Sequence, residues 1–492
     1  MIQGVQTQQQ PDNAGGLVTL PSLLTLPENA TPNCMDVEFG IGGAFGKRYG
    51  VTSTNSVALE GTAGWSSFDF GAQAIRWHLV AAGTGLFASS NRGLTYVRVG
   101  SSRVQYPQRF TRSKNAVVVT SDSHLPVTYW TGSVGTFFLA LAVNSAPAAK
   151  VALDFAGYLM LMNNTGGNQR VVYYADNNGI ATDPWTATFQ VEGSQDDEIT
   201  DAITYNTRAY IFTKYGTHQI SHVGGNPDFA VRQIKDWGAV SRTVKRATFK
   251  EQGEVLIGLG WDKKVRVFDG TEELIISTPV EQNNTLTQTF FDNINEQRID
   301  RCHAEVDTLK QLYKLWVVIK PSTEVTHCLN LNLRTGAWFP YRATTIQSAY
   351  MAESANGRVM LQVSQAGRVS MVDSGNTDNA QAVDEVYDSR YFFHQTPQTV
   401  TKHHQLDFYF APTSSGTVYI QDAVNIGRTF GDIRERVVLT GASTEPLFHT
   451  VMDLPATKNV YQFRMTSSAS TANPWQCTRF DLLRDPRGLG GS

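Results

Sequence analysis

The sequence predicts an all-β protein in which a β-propeller of about seven blades is inserted into a β-sandwich platform domain. The first observation is a repeated pattern, in which two runs of alternating apolar residues are joined by a polar turn with glycine or asparagine. These units begin roughly 35–55 residues apart, a spacing typical of propeller blades. They occupy residues 74–100, 109–130, 153–179, 202–225, 247–270, 303–342 and 348–375. The second observation is a composition with 41 glycines and only 17% charged residues, as in β-structure with many turns.

Differences in local composition and in the spacing of apolar residues divide the chain into four parts. Residues 1–16 are polar and predict a flexible N-terminal arm, and residues 55–380 contain the repeated units of the propeller. From residue 381 to residue 492 the strands become longer and alternate cleanly, as in 406–410 and 417–421, which predicts the C-terminal β-sandwich platform. The segment 17–54 either completes the propeller ring or joins the platform, and we favour the platform.

Two local patterns carry separate expectations. Residues 285–301 place Leu286, Phe290 and Ile294 at helical spacing, which predicts one surface helix between two blades. The longest apolar run, residues 136–143, predicts a buried strand. Because no run approaches the roughly 18 apolar residues of a transmembrane helix, we expect no membrane span.

Charge and cysteine content narrow the class of protein. The formal net charge is −3 and no long basic run is present, which argues against specific binding of nucleic acid but not against a surface past which DNA slides. The four cysteines lack the spacing of a metal site, and we predict free, mostly buried thiols in a reducing cytosol. Cys302 and Cys328 could also face each other across neighbouring strands. We expect no metal and no cofactor.

Residues 89–96 (SSNRGLTY) resemble the Asp-box of sialidases and related propellers, S-x-D-x-G-x-T-W, with Asn91 for Asp and Tyr96 for Trp. In that family the box is a turn between strands, whose acidic residue satisfies backbone amides and whose aromatic residue packs between blades. It lies away from the catalytic centre, so the resemblance supports the fold and assigns no activity. The alternative is an ordinary polar hairpin.

Other candidate sites have structural interpretations that we prefer. Residues 195–201 hold four carboxylates in seven positions but lack the spacing of a calcium loop, which favours a solvated loop. His403 and His404 point to opposite faces of a strand, so only one could join Asp407 at a metal. The glycines of 40–46 indicate a hairpin rather than a phosphate loop, and Lys47 and Arg48 form a weak basic spot for a neighbouring subunit at most.

The aromatic residues of 338–339, 391–393 and 408–410 are interpreted as core or interface. Because propeller active sites draw one residue from each blade, no catalytic arrangement can be recognised from spacing. We assign no catalytic residue and expect no enzymatic activity.

Residues 26–50 (LPENATPNCMDVEFGIGGAFGKRYG) resemble the opening of a class of tailed-phage virion proteins. The shared positions are Pro27, Pro32, Asp36, Val37, Phe39, Gly42, Gly43, Lys47, Arg48 and Gly50. Residues 124–130 (HLPVTYW) resemble a "D-x-P-x-x-YW" strand of the same proteins. The chain departs from the pattern at residues 35–36, where asparagine or alanine is commoner.

This class is similar to the tail nozzle, or tail tube tip, of short-tailed bacteriophages. The resemblance implies a propeller on a sandwich platform, a ring of six copies below the portal and the head–tail adaptor, and contact with tail fibres or tailspikes. It implies a structural virion protein, made in the bacterial cytoplasm, whose ring is a conduit for DNA ejection. The alternative is a propeller-type tail component that binds or hydrolyses glycans.

Overall fold

The computed structural model describes residues 6–485 apart from 11–14, 20–25, 41–42, 56, 60–63, 73–74, 92, 101–106, 123, 142–144, 165–168, 177–181, 183, 225–227, 281–289, 344, 355–356, 394–401, 413, 425–429, 441–446, 453, 455–459 and 468–473. The described residues are almost entirely strands, and the predicted all-β class is confirmed. None of their helices is long and apolar enough to cross a membrane.

The N-terminal part of the chain contributes short strands to several sheets. They are β1 (Gln6–Gln10), β2 (Gly16–Leu17), β3 (Ala30–Thr31), β4 (Asn33–Met35), β5 (Val37–Phe39), β6 (Phe45–Lys47) and β7 (Val51–Ser53). Gln6–Gln10 lies in the segment expected to be a flexible arm, but it pairs antiparallel with residues 480–484 near the C-terminus. On the same edge of this C-terminal strand, β6 pairs only with Gln476 and Cys477, so residues 480–484 remain available to pair with Gln6–Gln10.

Six blades follow in sequence, each with four consecutive antiparallel strands. Blades 1 to 3 are β8 (Gly64–Ala72), β9 (Ile75–Ala82), β10 (Gly85–Ser89), β11 (Val97–Gly100); β12 (Gln108–Ser113), β13 (Ala116–Ser121), β14 (Thr128–Trp130), β15 (Leu139–Ala140); and β16 (Ala149–Phe155), β17 (Tyr158–Asn164), β18 (Val171–Asp176), β19 (Ala187–Gln190). Blades 4 to 6 are β20 (Ile199–Tyr205), β21 (Arg208–Thr213), β22 (Thr217–His222), β23 (Phe229–Lys235); β24 (Lys245–Thr248), β25 (Glu254–Leu259), β26 (Val265–Phe268), β27 (Glu273–Ile275); and β28 (His303–Asp307), β29 (Leu312–Val317), β30 (His327–Asn332), β31 (Trp338–Arg342).

The seventh blade closes the ring with strands from both ends of the propeller. Its strands β32 (Ile346–Ser354), β33 (Gly357–Ser364) and β34 (Val369–Val372) are completed by β7, which pairs antiparallel with β34. The first strand of blade 7, β32, contacts the first strand of blade 1, β8, so the blades form a closed circle. β7 therefore belongs to the propeller, while β2 and β3 extend the sheet of blade 6.

Alternation within each blade explains how neighbouring blades pack. In β13, Val117 and Val119 belong to a cluster with blade 1, whereas Val118 packs with Leu159 and Leu161 of blade 3. Both faces of the strand are covered, and its sequence is consequently continuously apolar. Each blade buries its faces only because its neighbours are present, so the ring is stable as a unit.

The platform is a sandwich of two sheets that combine N-terminal and C-terminal strands. The remaining strands are β35 (Thr377–Asp378), β36 (Gln381–Ala382), β37 (Val386–Asp388), β38 (Lys402–Phe410), β39 (Ser415–Val424), β40 (Ile433–Thr440), β41 (Leu447–Met452), β42 (Tyr461–Ser467) and β43 (Gln476–Asp485). One sheet has the order β41-β38-β43-β6-β5, and the other has β4-β37-β42-β39-β40. Phe408, Phe463 and Phe480 form its core, with centroid separations of 4.9–6.3 Å.

Two local predictions are wrong. The described residues of 285–301 form no α-helix. They form a 3₁₀ helix at Glu296–Arg301, with Asn295 as its N-cap and with Arg298 outside helical dihedrals. Another 3₁₀ helix spans Thr278–Val280. The described residues of the run, 136–141, do not form a buried strand: they supply β15, the outer edge of blade 2, where Phe137 and Leu139 are exposed, and only Leu141 after it is buried. An outer strand has less of the next blade to cover it.

The cysteines and aromatic pairs lie where the sequence indicates. All four cysteines are free and buried. Burial raises the pKa of the Cys302 and Cys328 thiols to about 12. Cys302 precedes β28 and Cys328 lies on β30, with β29 between these strands, so the two do not face each other. The aromatic residues of 338–339 and 391–393, and Phe408 and Phe410, are in the core.

Candidate functional site: the junction of platform and propeller

The chain crosses between platform and propeller twice, and the two crossings bind each other. The first runs from β6 through residues 48–50 into β7, and the second leaves β34 through the small hairpin β35–β36 toward β37. The Gly50 amide donates to the carbonyl of Gly375 (2.9 Å), and the Ser374 amide donates to the carbonyl of Gly50 (3.0 Å). A Cβ atom on Gly50 would overlap the backbone of Thr377, so the close approach requires glycine.

Arg48 is the centre of a buried ion network at these crossings. It is 4% exposed; its Nε donates to Asp36 Oδ1 (2.8 Å), and one terminal nitrogen donates to Asp378 Oδ1 (2.8 Å). Burial would lower the pKa of Arg48, but its hydrogen bonds to Asp378 and the charges of both carboxylates raise it. Because Asp36 lies in the platform and Asp378 follows blade 7, one guanidinium connects both bodies.

Asp36 lies between two strands of the platform, β4 and β5, with its backbone in a left-handed conformation. Its φ is 57°, in the left-handed region that asparagine and aspartate tolerate better than most residues. Its backbone amide donates to the Pro340 carbonyl (3.0 Å), and its carboxylate accepts from the Arg342 amide (2.9 Å) on blade 6. The platform is thereby tied to blade 6 as well as to blade 7.

A second pair of charges involves Lys47, the last residue of β6 and the neighbour of Arg48 in the chain. Lys47 Nζ is 3.7 Å from Glu385, whose other oxygen accepts a hydrogen bond from the Trp475 indole (2.7 Å). A Cβ atom on Gly46 would overlap the backbone of Trp475, so this glycine permits the hairpin β5–β6 to pack closely against Trp475. The expected exposed basic spot at Lys47 and Arg48 is wrong, since both side chains are buried and paired within the chain.

Lys310 links three parts of the molecule at one nitrogen. It lies in the turn between β28 and β29 of blade 6, and its Nζ contacts Glu38 of the platform (2.7 Å) and Asp373 after blade 7 (3.0 Å). Burial opposes its charge, but these two carboxylates raise the pKa of Lys310 above its ordinary value. The ammonium group therefore stays charged at neutral pH.

Apolar packing makes the junction continuous with both cores. Phe39 of the platform meets Phe339 of blade 6 edge to face at 5.7 Å, and Phe45 stacks on Tyr387 at 3.9 Å. These residues belong to one hydrophobic cluster that extends from the platform through blades 5, 6 and 7. Platform and propeller consequently share a core rather than meeting at a polar surface.

The Asp-box-like turn has the arrangement that the resemblance implies. It joins β10 to β11; the Asn91 side-chain oxygen accepts from the Thr95 amide (3.0 Å), and the Ser89 hydroxyl accepts from the Gly93 amide (3.0 Å). Gly93 has φ of 78°, and Tyr96 packs against the cluster shared with blade 7. Asn91 thus performs the structural task of the usual aspartate.

The carboxylates of 195–201 are separated into different networks. Asp197 is buried and accepts from the Lys214 amide (2.9 Å), while Glu198 pairs with Lys150 and Lys214. Although burial acts to raise it, these ammonium groups lower the pKa of Glu198 to about 2. The prediction of a solvated loop is right for residues 195–196 and wrong for the rest: Asp197 is buried, Glu198 is half-buried, and residues 199–201 belong to strand β20.

The hairpin predicted at 40–46 is present as β5 and β6, paired Val37 to Lys47, although residues 41–42 lie outside the described residues. The side chains of His403 and His404 also lie outside them. Asp407 accepts hydrogen bonds from Gln405 (2.6 Å) and Thr450 (2.9 Å). In the described part of the chain, no three His, Cys, Asp or Glu side chains are grouped to hold a metal ion.

The sequence is matched by no protein-family model and by no curated protein. Solved structures that resemble the fold include the Pan2 WD40 domain of Neurospora crassa, at 10% identity and a TM-score of 0.39 over 66% of this chain and 95% of that one. The β-propeller domain of Cps50 (Swd1) from Myceliophteria thermophila is 8% identical, with a TM-score of 0.42 over 65% and 99%. The N-terminal domain of Nup159 is 8% identical, with a TM-score of 0.39 over 69% and 98%. Similarities of this size indicate no function.

Proposed function

We propose that this chain is a structural, non-enzymatic subunit of the tail nozzle, or an equivalent part of the tail tube, of a tailed bacteriophage. Six copies form a ring below the portal and head–tail adaptor, beside tail fibres or tailspikes, and DNA passes through the ring during ejection. The chain is made in the bacterial cytoplasm and acts in the virion tail.

The observation that carries the proposal is the position of the residues that resemble the phage proteins. Asp36, Phe39, Arg48 and Gly50 lie in the junction, and each joins platform to propeller by an ion pair, an aromatic contact or a close backbone approach; Lys47 pairs with Glu385 beside them. The shared pattern therefore encodes a rigid two-part body. A conduit built from such bodies has a bore set by its subunit contacts.

We place the subunit contacts on one lateral edge of the platform. The edge strands β40 and β41 lie side by side there, since His449 Nε2 is 3.8 Å from Glu435. Ile433, Val438 and Phe448 on these strands are 55–65% exposed. Apolar side chains on an unpaired sheet edge are typical of a surface that another protein covers.

The test is the mass of the purified protein by light scattering, followed by symmetry analysis of particle images. We expect a ring of six, and expect Val438→Glu with Phe448→Glu to give monomers. Val223→Glu is the matched control, because Val223 is similarly exposed (56%) but lies beyond β22 on the propeller. A monomer that never enters particles would contradict the proposed function. A ring unaffected by the double substitution would contradict the proposed interface.

The alternative function, a tail component that binds or hydrolyses glycans, is separated by a different measurement. Turnover of fluorogenic glycosides or saturable binding of host-surface glycans would favour it. The structural proposal expects neither.

A further inference from the structure

A cavity of about 520 Å³ lies inside the junction, between blades 6 and 7 and beneath the hairpin β35–β36. Its walls include Trp316 and Tyr341 of blade 6, Ile346 and Val372 of blade 7, and Val51 of the closing strand. Charged and polar side chains complete the lining, and volumes of about 300–1,000 Å³ are typical of small-molecule sites.

Two polar groups on its wall are buried and unpaired within the described part of the chain. Lys314 is 1% exposed, and its Nζ has only the face of the Tyr341 ring, 5.2 Å from the centroid, as a close partner. The hydroxyl of Tyr341 is buried and has no hydrogen-bond partner among the described residues. Buried ammonium and hydroxyl groups are ordinarily hydrogen-bonded, so both indicate a missing acceptor.

Two of the other charged groups around the cavity, Arg48 and Asp373, have partners of their own. Arg48 is occupied by Asp36 and Asp378, and Asp373 accepts a contact from Lys310 at 3.0 Å. Burial acts to raise the pKa of Asp373, and the charges of Lys314 and Lys310 lower it. Lys310 contacts that carboxylate directly, whereas Lys314 makes neither a hydrogen bond nor an ion pair with it, so the N–H donors of Lys314 remain available to a ligand.

We propose that this cavity binds a small organic carboxylate with an apolar body. Its carboxylate accepts hydrogen bonds from Lys314 Nζ and the Tyr341 hydroxyl, and its apolar part lies against Trp316, Ile346 and Val372. The site is independent of the proposed tail function, since it concerns the interior of one subunit rather than the ring contacts.

The experiment is calorimetric titration of the full chain with sodium benzoate, with benzyl alcohol as the uncharged analogue and acetate as the analogue without an apolar body. We expect saturable binding of benzoate and binding at least about tenfold weaker for both analogues. Equal binding of benzoate and benzyl alcohol, or no saturable benzoate binding, would overturn the proposal.

Two substitutions identify the site. Lys314→Met should weaken benzoate binding about tenfold to a hundredfold, because a charged hydrogen bond is lost, whereas Lys245→Met should leave it unchanged. Lys245 is a half-buried lysine on blade 5 that is paired with Glu305 (2.8 Å) outside the cavity. If Lys314→Met does not fold, Tyr341→Phe tests the same site, because it removes only the unpaired hydroxyl oxygen. Unchanged benzoate affinity in Tyr341→Phe would refute the assignment.

Discussion

Replacing Arg48 by methionine is the most direct perturbation of the junction. The substitution removes the guanidinium that serves Asp36 and Asp378. It leaves Asp36, with a side chain 2% exposed, with a hydrogen bond from the Arg342 amide (2.9 Å) and a longer 3.4 Å contact with the Arg342 guanidinium. Asp378 is 31% exposed and regains water. Removing one partner of a buried ion pair costs about 3–5 kcal/mol, nearly all of it here from the uncompensated charge of Asp36.

The assay is urea denaturation followed by tryptophan fluorescence, with calorimetry to detect separate transitions of platform and propeller. We expect Arg48→Met to lower the free energy of unfolding by about 3–5 kcal/mol, and Arg48→Lys to recover only part of it, because lysine lacks the planar fork that reaches two carboxylates. The control Arg358→Met removes a pair with Glu353 in which both side chains are exposed, 51% and 42%, and should change stability by about 0–1 kcal/mol. A loss below about 1 kcal/mol for Arg48→Met would refute the assigned role of the network.

Three further predictions concern local packing, acid stability and the turn of blade 1. Gly50→Ala should lower stability by about 1–3 kcal/mol by overlap with the second crossing, whereas Gly40→Ala, whose Cβ would make an ordinary 3.5 Å contact, should be nearly neutral in the same denaturation assay. The pKa of Glu198 in the folded chain is about 2, against an ordinary 4.5. The ionised carboxylate therefore stabilises the fold above pH 4.5, and this stabilisation is lost as the pH falls toward 2. Glu198→Gln should accordingly lower the melting temperature at pH 7 and not at pH 2. Asn91→Ala should cost about 1 kcal/mol by leaving the Thr95 amide unpaired, and Asn91→Asp should not; equal losses would show that the acceptor oxygen is unimportant.

The sequence alone was sufficient for the fold because the information is local. Each blade repeats an alternation of period two that ends in residues suited to tight turns, such as Gly157, which has a positive φ between β16 and β17. Covering both faces of a strand such as β13 leaves a continuous apolar run that is visible in the letters. Edge strands violate this rule, and the prediction of a buried strand from the apolar run that contains Phe137 and Leu139 was therefore wrong.

The junction could not be predicted in the same way because its partners are far apart in the chain. Arg48 contacts Asp378 across 330 residues, and nothing in the local spacing of Lys47 and Arg48 distinguishes a buried pair from an exposed basic spot. Two signals were available: the glycines at 46 and 50 that bracket the pair, and Asp36 at a position where the phage proteins more often have asparagine or alanine. Lys314 and Tyr341 gave no signal, since a lysine within a strand usually faces water.

A final prediction separates the stability of the junction from its geometry. The double variant Arg48→Met with Asp36→Asn removes both buried charges and keeps a residue that tolerates the left-handed backbone at position 36. Without a stranded carboxylate, most of the 3–5 kcal/mol lost in Arg48→Met should return, since apolar replacement of a buried pair is often neutral. The ion pairs of Lys310 and the backbone hydrogen bonds of the crossings remain, but apolar contacts in place of the Arg48 network are non-directional, so platform and propeller should be held less firmly at one angle. In a closed ring each subunit repeats the same angular error, and we therefore expect native mass spectrometry to find fewer complete rings of the double variant at unchanged stability. Complete rings at wild-type yield would refute an orienting role and leave the network with a stabilising role alone.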